Sequence, residues 1–131
     1  MCLIIRSCKH IRLKNGKYIP RTTLFHKKVY KVLCYELFTG AHTPIICKPV
    51  IFKDDKCCLS GKFSYYYGGV IEEGVHSFSS YTMARDFANS VGGFIYKAYI
   101  PSGVKYFIGF EGQIVSEKLI VKNDIIIEHG K

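Results

Sequence analysis

Long apolar runs are missing from this chain of 131 residues. A bilayer-spanning helix needs roughly 20 apolar residues in succession, so no transmembrane helix is expected. The opening Met1-Cys2-Leu3-Ile4-Ile5-Arg6 has no basic stretch followed by a long apolar one, and no signal peptide is expected. Cys-x-x-Cys pairs are also missing from the six cysteines, Cys2, Cys8, Cys34, Cys47, Cys57 and Cys58. The vicinal Cys57-Cys58 is poorly spaced for one tetrahedral zinc. The hydrophobic fraction of 48% supplies a core that needs no disulfide staples. These points predict a reduced, cytoplasmic protein with no structural metal and no bound cofactor. Gly68-Gly69 is too short for a Walker or Rossmann fingerprint. No repeat, low-complexity segment or linker is visible, so one domain over residues 1–131 is expected.

Acidic residues are absent from the first quarter of the chain. The first acid is Glu36. Before it lie Arg6, Lys9, Arg12, Lys14, Lys17, Arg21, Lys27, Lys28 and Lys31. From Glu36 onward, bases and acids balance, so the whole formal charge of +9 belongs to residues 1–35. A field of one sign attracts phosphates by steering and counterion release. The same bases, scattered among apolar residues, could instead form a solvated face that maintains solubility.

Alternation and punctuation place the elements. Cys2–Arg6 predicts a short buried strand. Ile11 to Ile19 alternates on both sides of Asn15-Gly16, the strongest hairpin signal in the chain, and Pro20 ends the second arm. Val29–Phe38 is rich in β-branched and aromatic residues and predicts a central strand. Pro44–Phe52 is broken by Pro49, and Lys53-Asp54-Asp55-Lys56 predicts a polar turn. Leu59–Val75, centred on Tyr65-Tyr66-Tyr67-Gly68-Gly69, predicts a long ordered loop. A helix is expected over about 79–91. Ser79 or Ser80 would cap it, Met83, Ala84, Phe87, Ala88 and Val91 would form its apolar face, and Gly92-Gly93 would stop it. Phe94–Ile100, Val104–Phe110, Glu117–Lys122 and Asp124–Glu128 predict further strands, the last two parted by a turn at Asn123. The sum is an α+β fold, mostly antiparallel sheet with one main helix packed on it.

Two residues could carry chemistry. Cys2 could be a nucleophile if the neighbouring bases lower its pKa, or a small buried hydrophobe at a strand start. His76, just ahead of the helix, is the best candidate acid or base, because imidazole titrates near neutrality. It could also simply hydrogen-bond at a sheet edge. Several groups could hold a ligand. Arg6, Arg12, Lys31 and Arg85 would meet phosphates, and Ser79 would do so at the helix start. Tyr65 and Tyr67 would stack a base. The expected partner is a nucleotide or another phosphate-bearing ligand. A second copy of the chain is a further candidate; a membrane is not.

Four stretches occur in a suggestive order. They are Met1-Cys2-Leu3-Ile4-Ile5, Tyr30-Lys31-Val32-Leu33, Gly74-Val75-His76-Ser77-Phe78 with its alanine-bearing helix, and Ile100 to Tyr106. Together they resemble a family of small uncharacterised proteins of bacteriophages and Bacteroidetes prophages. That resemblance implies a phage-borne accessory protein, an anti-defence factor that binds or destroys a nucleotide immune signal. If the signal is cleaved, Cys2 and His76 are the expected nucleophile and acid/base. A second likeness, over residues 74–122, is to ADP-ribosyltransferase-like folds, with Arg6, Ser79 and Glu117 loosely assignable. There Val115 stands where that family carries Glu or Gln. The phage resemblance adds a host defence protein as a partner, and with it the alternative of a protein-interaction module that inhibits a host enzyme through its basic face. The second likeness adds an ADP-ribosyltransferase-like enzyme, and the charge adds an RNA- or DNA-binding domain whose binding falls steeply with salt.

Overall fold

The computed structural model describes residues 3–33, 53–67 and 69–126, with the side chains of residues 65–67 outside that description. The strands are β1 (Leu3–Ile4), β2 (Arg21–Thr22), β3 (Lys27–Leu33), β4 (Lys56–Ser60), β5 (Ser64–Tyr67), β6 (Val70–Glu73) and β7 (Val75–Phe78). After helix α1 (Tyr81–Val91) come β8 (Phe94–Ile100), β9 (Lys105–Ile108), β10 (Gln113–Ser116) and β11 (Lys118–Ile125). They form a large sheet in the order β2-β9-β10-β7-β3-β8-β11-β4 and a small one in the order β1-β6-β5. Neighbouring strands are antiparallel in both sheets. This is the expected α+β architecture, and β3 is central, as its β-branched residues predict.

Strand alternation divides the large sheet into two faces. On one, Val29, Ala98, Ile100, Leu119 and Val121 join Val75, Tyr106 and Ile114 in a continuous buried cluster. The opposite face has three parts, two of them packed against neighbours. Phe107 and Val115 meet Leu3, Ile5 and Ile71 of the small sheet and its flank. Val32, Phe78 and Ile95 meet Ala84 and Ala88 of α1. Beyond the helix, the β8, β11 and β4 end of this face carries the exposed Lys56, Cys58, Lys97, Lys118 and Lys122.

The helix forms where expected. Ser80 is its N-cap, and its hydroxyl accepts the Met83 N–H. Gly92 ends it in the left-handed conformation, φ 71°, which glycine adopts without steric cost. The Asn15-Gly16 hairpin is also present. Arg12 bridges Tyr18, and the Ile19 N–H donates to the Ile11 carbonyl.

Three expectations are corrected. Leu59–Val75 is not a loop: it contains the end of β4, all of β5 and β6, and the start of β7. Tyrosine favours extended backbone, so the run is compatible with a strand ladder. Asn123 is not a turn. It lies inside β11, where the register with β8 shifts between Val121 and Ile125, so an irregularity absorbs the polar Lys122-Asn123-Asp124. Gln113–Ser116 is the additional strand β10, buried between β9 and β7. The expected end of the central strand at Phe38, the arm Pro44–Phe52, Cys34 and Cys47 lie outside the described residues.

Candidate functional site

His76 sits on β7 opposite Val115 of β10. The chain reaches it through Gly74, whose φ is +137°. A Cβ at Gly74 would stand 2.5 Å from the Val115 side chain, so the bend needs glycine on both counts. The His76 Nε2 and the neighbouring Ser77 hydroxyl are buried without a hydrogen-bond partner among the described residues. Burial first, and the Lys31 ammonium second, hold the His76 pKa down at about 4, with a hydrogen bond to the Glu72 backbone opposing them. At neutral pH the ring is therefore uncharged. It can accept a proton or a hydrogen bond, and it is a poor general acid. Cys2 lies outside the described residues.

Lys31 is brought to His76, although not as a free phosphate clamp. Its ammonium donates to the His76 carbonyl at 2.7 Å, tying β3 to β7. Arg6 and Arg12 come to the small sheet. Arg6 stands at the seam of the two sheets: its own N–H donates to the Ile108 carbonyl of β9, while the preceding Ile5 N–H donates to the Gly69 carbonyl between β5 and β6. The Arg12 guanidinium lies 5.6 Å from the centre of the Tyr18 ring, which packs toward Gly69. Tyr65 and Tyr67 pair with Ile71 and Val70 across this hairpin. Ser79 is held at the helix start, where its N–H and hydroxyl both donate to the Gly112 carbonyl. Arg85 lies on α1, 3.8 Å from Asp86. The predicted ligand residues thus fall in three places: the small sheet, the β3–β7 seam and the helix.

A groove of about 550 Å³ opens elsewhere, on the end of the large sheet that none of the described residues covers. Four lysines line it, one from each of four consecutive strands: Lys28 (β3), Lys97 (β8), Lys122 (β11) and Lys56 (β4). Pairing sets this convergence. Lys28 is opposite Tyr99, Tyr99 opposite Ile120, and Lys122 opposite Lys56. His26 and Tyr99 form the aromatic part of the wall, stacked with centroids 4.6 Å apart and planes 16° from parallel. The Lys122 ammonium stands 5.7 Å from the Tyr99 ring centre. At the rim Asp124 approaches Lys97 to 3.2 Å. No acidic residue is among the described residues lining the groove.

Of the four lysines only Lys28 belongs to the basic first quarter. The alternations Lys97-Ala98-Tyr99 and Lys118-Leu119-Ile120-Val121-Lys122 do carry a signal, since each puts its polar members on one face. What joins them is strand order, which no local pattern contains. Among the described residues no helix is long and apolar enough to cross a membrane, and no group of three or more His, Cys, Asp or Glu could hold a metal ion. The chain matches no protein-family model, no curated protein and no solved structure.

Proposed function

We propose that the protein binds a phosphate-rich nucleotide ligand on the open lysine-lined end of its large sheet. The observation that supports this is the convergence of Lys28, Lys56, Lys97 and Lys122 on one groove with a His26–Tyr99 aromatic wall. Like charges brought together on a surface repel one another, and a polyanion relieves that repulsion more fully than the single Asp124 beside Lys97 does. The resemblance to phage and prophage proteins would make the ligand a nucleotide immune signal and the protein a factor that sequesters it.

A thermal-shift panel of linear and cyclic nucleotides tests the reading, because a ligand that binds only the folded state raises the melting temperature. Nucleotides with several phosphates should stabilise the protein, and the Lys97→Glu/Lys122→Glu double variant should lose the effect. An absence of stabilisation across the panel, or equal stabilisation of wild type and double variant, would refute the groove as the site.

A second reading is favoured by a different observation. The hairpin packs through Tyr18 and leaves Ile11 and Leu13 exposed, a feature suited to a protein partner. This is the host-enzyme inhibitor alternative. It predicts no nucleotide stabilisation at all.

A further inference from the structure

Leu24 and Phe25 form the tip between β2 and β3, and each is more than four-fifths exposed (83% and 82%). Two large apolar side chains in water at one tip carry a cost in hydration. The tip is not a loose strand end. Thr23, at its root, donates its N–H to the Val104 carbonyl at 3.0 Å and accepts the Gly103 N–H on its own carbonyl at 2.8 Å. Its hydroxyl donates to the Pro101 carbonyl and accepts the Val104 N–H. The other end runs directly into His26, which stacks on Tyr99 in the groove wall. Phe25 therefore stands one residue from the lysine-lined groove, on a rooted support.

We infer that the groove and this tip together take a single-stranded nucleic acid, with Phe25 as the base-stacking residue. The inference rests on the groove being a phosphate site, as proposed above, and it names the ligand class. Two features carry it. The four lysines come from four consecutive strands, a span of about 14 Å at the usual strand spacing. One mononucleotide has its phosphates bunched at one end, whereas a strand presents one at every nucleotide along that span. The second feature is which ring is free. Tyr99 already has His26 stacked on it and the Lys122 ammonium over it, whereas Phe25 is bare. Base stacking is tolerant of sequence and needs only an exposed ring beside a track of positive charge. The lysines also line a concavity, which a chain of nucleotides can enter and a flat bilayer cannot.

Fluorescence anisotropy with a labelled oligothymidylate of about twelve nucleotides is the test, a length within the usual range for such sites. The oligonucleotide should bind more tightly than ATP, and its affinity should fall steeply with added salt. Phe25→Ala should weaken it about tenfold, as loss of one stacked base does, whereas Leu24→Ala, which removes no ring, should weaken it far less. If ATP binds but the oligonucleotide binds no better, or if Phe25→Ala has no effect, the inference fails and the groove proposal stands. If neither binds, both fail. Cosedimentation with phosphatidylserine vesicles, lost in Leu24→Ser and Phe25→Ser alike and without oligonucleotide binding, would overturn the inference in favour of an anionic membrane.

Discussion

The ring of His10 holds the backbone of Ile108 from 98 residues away. Its Nε2 accepts the Ile108 N–H at 2.9 Å, while its Nδ1 lies 3.0 Å from the Ile19 carbonyl. One ring thus joins strand β9 to the arm of the Asn15-Gly16 hairpin. Both bonds are met only by the neutral ring with its proton on Nδ1. Burial, with the Arg21 guanidinium adding to it, lowers the His10 pKa, against the bond to Ile19.

Acid should therefore loosen this fold through its histidines. His10 and His76 both have folded pKa values below the ordinary 6.5. Their contribution is complete above pH 6.5 and declines as pH falls toward the folded values, about 4 for His76. For His76 the full loss corresponds to about 3 kcal/mol. Melting temperature followed from pH 7.5 to about pH 4 should fall, and His10→Gln, which keeps a donor and an acceptor without titrating in this range, should flatten the decline. An unchanged pH profile in His10→Gln would remove His10 from the account.

Lys31→Met should act on His76 at a distance. It removes the donor to the His76 carbonyl and one of the causes that depress the His76 pKa. The His76 titration, followed by NMR of the ring protons, should move upward in the variant. The lost charge-assisted hydrogen bond should cost about 1.5–3 kcal/mol in chemical denaturation. A His76 titration that stays in place would remove Lys31 from the causes that set it.

Gly74→Ala should be among the costlier small substitutions in the chain. Its Cβ meets Val115 at 2.5 Å and its φ of +137° is one that L residues rarely adopt. Backbone strain of this kind costs about 1–3 kcal/mol, before any clash. Combining it with Val115→Ala should relieve the clash without relieving the backbone, so the double variant should be more stable than the sum of the two losses predicts. Urea denaturation of the four proteins measures this directly.

Ser80→Ala removes the helix cap and should cost about 0.5–1 kcal/mol, at the low end for caps because the Met83 N–H reaches the hydroxyl only at 3.4 Å. Ser79→Ala should leave the Met83 cap intact, since its hydroxyl is directed to Gly112 instead. Equal losses in the two variants, read by thermal denaturation, would contradict this division of roles.

Much of the fold is legible in short stretches of chain. The apolar spacing of Met83 to Val91, the serines before it and Gly92 after it place the helix because each acts within one or two turns. Asn15-Gly16 and the alternation of Phe94–Ile100 place a turn and a strand for the same reason. The tyrosine run from Tyr65 to Tyr67 was misleading. Polarity and glycine suggested a loop, and only pairing with Val70–Glu73 gives those residues a ladder. Gln113–Ser116 is equally short. It forms a strand because β7 and β9 hold it on both sides.

The charge of +9 shows the boundary between the two levels. Its concentration in residues 1–35 is a property of the chain, set by composition alone. Where positive charge converges is not. Lys56, Lys97 and Lys122 come from the electrically balanced remainder, yet they meet Lys28 in one groove. The order β3-β8-β11-β4 brings them together, and the pleat turns their side chains to one face while α1 covers only its other end. Strand order is decided by long-range packing of both faces at once, a many-body choice that leaves no mark on any single stretch of residues. Local propensity therefore selected the elements, and tertiary packing selected which cations became neighbours.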